Sequence, residues 1–70
     1  MHQYHINVFY SKVDEGFIAD VPDLIDCSAF GKTPGEAMEK VMETMERWLE
    51  EARASGEEIP VPRYKPAIYR

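Results

Sequence analysis

The sequence predicts an α+β domain: a three-stranded antiparallel sheet with one long helix packed on one face. Two observations carry that prediction. Apolar residues alternate with period two in the N-terminal half, and then recur at spacings of three and four from Pro34 to Ala54. The junction between the two patterns, Thr33-Pro34-Gly35-Glu36, carries a helix-start signal.

The first strand is read from Tyr4 to Tyr10. Tyr4, Ile6, Val8 and Tyr10 fall on one face, and His5, Asn7 and Phe9 on the other. The polar run from Ser11 to Gly16 reads as a hairpin connection. Phe17–Val21 is the second strand, stopped by Pro22, which removes a ladder donor and biases Val21 to an extended backbone. Pro22-Asp23 suits the early positions of a tight turn. Cys27–Phe30 is a short third strand closed by Gly31.

At the helix start, the Thr33 hydroxyl caps the backbone and Glu36 can answer it from three residues on. Pro34 sits at the first helical position, where its missing N–H costs nothing. Met38, Val41, Met45, Trp48 and Ala52, widened by Ala37, Met42 and Leu49, make an apolar stripe that predicts a helix lying on a sheet. Gly56 is the expected C-terminal stop. Residues 1–56 are thus read as the domain, and residues 57–70 as an extended arm. That arm has three prolines, yet Ile59, Val61, Tyr64, Ile68 and Tyr69 are too apolar for a free tail. It is expected to dock on its own subunit or on a neighbour.

Composition bounds the function. Seventy residues make one domain with a small core, so self-association is expected. The lone Cys27 forms no internal disulfide and suggests a reducing compartment. With neither a secretory pattern nor a long apolar run, a cytoplasmic protein with no membrane partner is the plain reading. A net charge of −5 works against phosphate backbones and favours a basic partner. Lys12, Lys32, Arg63, Lys65 and Arg70 form no basic stripe, so direct nucleic-acid binding is not expected.

The ordered motifs Gly16-Phe17 leading into Val21-Pro22-Asp23-Leu24-Ile25-Asp26-Cys27, then Gly31-Lys32-Thr33-Pro34-Gly35-Glu36-Ala37, then Gly56 and Ile59-Pro60-Val61-Pro62, resemble the HicB antitoxin family in its short, stand-alone form. The likeness runs from about Tyr4 to Pro62. It implies a partial RNase H-like fold, and a non-enzymatic role in binding a small basic HicA-type toxin and covering its RNA-binding surface. Asp26 departs from the pattern, which commonly has glycine before the cysteine. Full-length HicB proteins often continue into a fourth strand and a DNA-binding domain. This sequence stops short of that, so operator binding is not expected. An orphan dimeric interaction domain with no toxin is the alternative.

Asp14, Asp20, Asp23 and Asp26 also invite a metal-dependent nuclease. Two-metal hydrolysis needs carboxylates converging from several elements, and here no second strand supplies a matching acid. Asp20, Asp23 and Asp26 are instead read as turn-forming or solvated, and as candidates for an electronegative partner surface. Cys27 lacks a neighbouring base and is read as a small buried hydrophobe; His2 and His5 have no ligand spacing. No cofactor is implied. Met38, Met42, Met45 and Trp48 could mark an adaptable binding groove, but their helical spacing reads first as core. Phe9, exposed on the sheet face away from Ile6 and Val8, is the expected dimer contact, with Tyr64, Ile68 and Tyr69 of the arm. Gly16, Pro22, Cys27, Gly31, Thr33, Glu36 and Trp48 are read as structural.

Overall fold

A computed structural model describes residues 4–65 of the chain. Its elements follow the order β1 (Asn7–Ser11), β2 (Gly16–Asp20), β3 (Ser28–Gly31) and α1 (Pro34–Ala54), and the three strands form one antiparallel sheet in sequence order. The predicted α+β class is the observed one.

A four-residue turn closes the β1–β2 hairpin between Ser11 and Gly16. The Ser11 hydroxyl donates to Asp14 Oδ2 at 2.7 Å and accepts the Asp14 N–H, while Glu15 takes a left-handed φ of 54° to bring the chain round. Val8 faces Ala19 and Tyr10 faces Phe17 across the hairpin; Ala29 and Gly31 continue those rows on β3. This is the face the helix covers. Ala19 is fully buried at its centre, and Val8, Phe17 and Ala29 pack around it.

β1 begins three residues later than the alternation predicts. Beyond Asn7–Asp20 the same register would bring His5 opposite Pro22, which has no N–H to give the ladder, while the Val21 N–H points to the other side and bonds the Cys27 carbonyl at 2.9 Å. Tyr4 and Ile6 still reach the core, from outside the ladder. Between Val21 and Cys27 the chain makes two consecutive tight turns. The Val21 carbonyl accepts from Leu24 N–H at 3.1 Å and the Leu24 carbonyl from Cys27 N–H at 3.4 Å. Val21, Leu24 and Cys27 all turn inward and are buried. Asp26 takes a φ of 55°, the left-handed backbone that glycine adopts freely. The turn therefore keeps the conformation that explains glycine at this place, at some steric cost to an L-residue. Asp26→Gly is expected to raise the urea midpoint, by a gain on the order of 0.5 kcal/mol.

The helix spans Pro34–Ala54, as its sequence signals predict. The Thr33 hydroxyl accepts the Glu36 N–H at 3.0 Å. The reciprocal arm reaches one residue further than the standard box, because Glu36 Oε1 accepts from the Lys32 N–H at 2.6 Å. At the other end Gly56 N–H donates to Arg53 and Glu57 N–H to Ala52, with Gly56 at φ 73°. That pair of bonds is the Schellman arrangement, and glycine satisfies its left-handed requirement without strain.

The helix crosses chiefly β3 and β2 and only skirts β1. Ala37, Val41 and Ala52 are buried, while Met45, Trp48 and Leu49 are partly so. The broad stripe read from the sequence is narrower in the structure. Met38 and Met42 lie on its exposed shoulder, because the sheet is too narrow to reach them. Gly31 sets the closeness of the helix to the sheet. A Cβ there would lie 2.3 Å from the Ala37 backbone nitrogen, so the first helical turn rests directly on β3.

Candidate partner-binding surface

The extended segment after the helix docks on its own subunit as far as it is described. Ile59 packs against the core, and the Tyr4 hydroxyl donates to the Pro60 carbonyl. Asp23, in the turn after β2, accepts the N–H groups of Arg63 and Tyr64 on its carboxylate at 3.1 and 3.2 Å. The Tyr64 ring lies 4.9 Å from the His5 ring. His5 Nε2 also hydrogen-bonds Asn7 Oδ1 at 2.8 Å. Sequence reasoning missed this clamp, since its halves stand about forty residues apart and no local pattern joins them. Ile68 and Tyr69 lie outside the described residues.

Tyr4 is buried at this junction. Burial, and then the charge of Asp23, push its phenol above the ordinary tyrosine range. The fold therefore favours the neutral phenol. The stability this contributes is complete below the ordinary tyrosine pKa and is lost as pH rises through the raised folded value. Tyr4→Phe removes that alkaline loss along with the bond to Pro60. Denaturant midpoints measured across the alkaline range should fall less steeply for the variant than for the wild type.

The three candidate acids are not brought together as one group. Asp23 is engaged by the arm, Asp20 is half-buried at the end of β2 between Asn7 and Ser28, and Asp26 is exposed in its turn. Among the described residues, no group of three or more His, Cys, Asp or Glu side chains could hold a metal ion. Cys27 is buried, and burial followed by the nearby Asp20 charge raises its thiol pKa, which holds it in the unreactive protonated form.

Two surfaces stand open. On the helix, Glu39, Glu43, Glu46 and Glu50 recur at spacings of four, three and four and are all exposed, diametrically opposite the buried stripe. Met38 and Met42 flank that ridge. On the sheet, the side away from the helix carries Phe9, Ile18 and Phe30 in direct register across all three strands. The Phe30 ring covers Gly16, where a Cβ would meet it at 2.4 Å. Ile18 and Phe30 are half-buried, but Phe9 remains 51% exposed. No polar or charged residue is buried among the described residues, so the acidic side chains all stand at or near the surface.

The described helix is not long and apolar enough to cross a membrane. No family model and no solved structure matches the chain. It is 36% identical over 53 residues to a UPF0150 protein of Synechocystis sp., a match covering 76% of this chain and 73% of that protein. At that identity and coverage, the chain belongs to the UPF0150 family.

Proposed function

We propose that this protein is a non-enzymatic protein-binding module of the HicB antitoxin type, which occludes the cationic RNA-binding face of a small basic HicA-type partner. The observation that carries the reading is the disposition of its charge. A chain of net charge −5 keeps its acidic side chains out of the core and sets four glutamates in a ridge along α1. Such a surface steers toward a basic protein and repels nucleic acid. Met38 and Met42 beside the ridge supply adaptable apolar contact, without which paired surface charges contribute little. Asp20 and Asp26 stand apart from that ridge, Asp20 at the end of β2 on the sheet face away from the helix and Asp26 exposed in its turn, and add acidic groups elsewhere on the surface. The ordered motifs shared with HicB antitoxins support the choice of partner, and the single free Cys27 agrees with a cytoplasmic setting.

The test is co-purification at low salt with a small basic protein encoded next to this one, followed by an RNA-cleavage assay of that protein with and without its partner. A complex that dissolves on raising salt, and that suppresses cleavage, is the expected result. A neighbour that neither binds nor is inhibited at low salt overturns the reading.

A further inference from the structure

Among the described residues, the edge of β1 is left without a strand or helix over it. Phe9 and Tyr10 point to opposite faces of this one strand, and both are more than half exposed, at 51% and 57%. The cause is architectural. The helix lies over β3 and β2, so Tyr10 stands beyond its reach although it shares a face with the core residue Val8. The segment Asn7–Ser11 has no proline, no charged residue and no bulge, since its register with β2 runs unbroken. These are the devices by which edge strands normally refuse a partner. β3, the other edge, is shorter and sits beneath the first helical turn at Gly31.

We infer that β1 pairs antiparallel with β1 of a second copy, about a two-fold axis at Phe9, to give a continuous six-stranded sheet. Charge selects this occupant and this direction. An acidic chain repels its own copy except where carboxylates are absent. None of its 13 acidic residues precedes Asp14, so β1 and its approach from Tyr4 to Val13 form an acid-free strip. Antiparallel pairing also carries the acidic hairpin tips, Asp14 and Glu15, to opposite ends of the joint, whereas parallel pairing would set them side by side. About the Phe9 axis, Asn7 meets Ser11 and Val8 meets Tyr10, so the exposed Tyr10 ring, which stands edge-on to Phe17 at 5.3 Å within its own subunit, gains a second apolar neighbour. Phe9 meets its own copy, and the row Phe9–Ile18–Phe30 becomes a row of six apolar side chains. This inference does not depend on the proposed toxin.

Sedimentation of the full chain at micromolar concentrations should give twice the 8.1 kDa chain mass. Phe9→Lys should weaken the dimer about thirtyfold or more, as loss of a central apolar contact does. At the two-fold axis each lysine would face its own copy, so like-charge repulsion across the joint adds to the loss of the apolar contact. Ile25→Lys, at a more exposed position in the turn between β2 and β3, should leave the dimer intact. Helical circular dichroism confirms the fold of each variant. Mild oxidation distinguishes the register: Phe9→Cys should cross-link to its own copy, while Asn7→Cys, opposite Ser11, should not. A monomeric wild type overturns the inference, as does a dimer unaffected by Phe9→Lys or efficient cross-linking of Asn7→Cys.

Discussion

Gly31→Ala is expected to destabilise the domain by roughly 1–3 kcal/mol, the usual cost of forcing an extra carbon into a packed site. The added Cβ meets backbone rather than a movable side chain, with the nitrogen and Cα of Ala37 at 2.3 and 2.8 Å. Relief requires the first turn of α1 to lift from β3. That movement opens the contact around Ala37 and Val41, both fully buried, and strains the Thr33–Glu36 cap. A single-core domain of this size has only about 3–5 kcal/mol in hand. Alanine should therefore lower the urea midpoint markedly at unchanged m-value, and valine should abolish folding. Gly35, on the same turn with open space around it, is the matched control, and Gly35→Ala should be tolerated.

Trp48→Ala is expected to have a comparable or larger effect, about 3 kcal/mol at the lower end for large aromatic truncations, since Trp48 is partly exposed. The indole does two jobs. Its ring packs on the core from the last third of the helix, and its Nε1–H donates to the Ile25 carbonyl at 2.9 Å. The second contact pins the double turn between β2 and β3 to the helix, 23 residues away in sequence. Trp48→Phe separates the two contributions. It keeps most of the packing and loses the bond, and should cost about 1 kcal/mol. Chemical denaturation of both variants, followed by circular dichroism, checks the ordering: wild type, then Phe, then Ala.

The helix could be read to the residue because its start and stop are written in local chemistry: Thr33, Pro34 and Glu36 at one end, Gly56 at the other. Strand existence was equally legible from alternation, but strand limits were not. The beginning of β1 depends on Pro22, which would stand opposite His5 and has no N–H to give, a limit set on another element. The shoulder methionines illustrate a second limit. Helical spacing shows which residues share a side, whereas the width of the opposing sheet decides how many of them are covered. Asp23 looks like any turn aspartate until the fold brings Arg63 and Tyr64 to it. The alignment of Phe9, Ile18 and Phe30 needs two registers at once, and no single-strand pattern contains either.

The clamp between the arm and the body also bears on the order in which the molecule forms. The hairpin and helix close over short stretches of chain, whereas the Tyr4–Pro60 bond spans 56 residues and the Asp23 bonds span 40 and 41. Contacts across such loops carry the greatest closure entropy, so they form after the nucleus rather than within it. Loosening the arm, as by Asp23→Ala, should then leave the refolding rate nearly unchanged and appear almost wholly as faster unfolding. The arm sets how long a folded molecule lasts, and the sheet and helix set how quickly one is made.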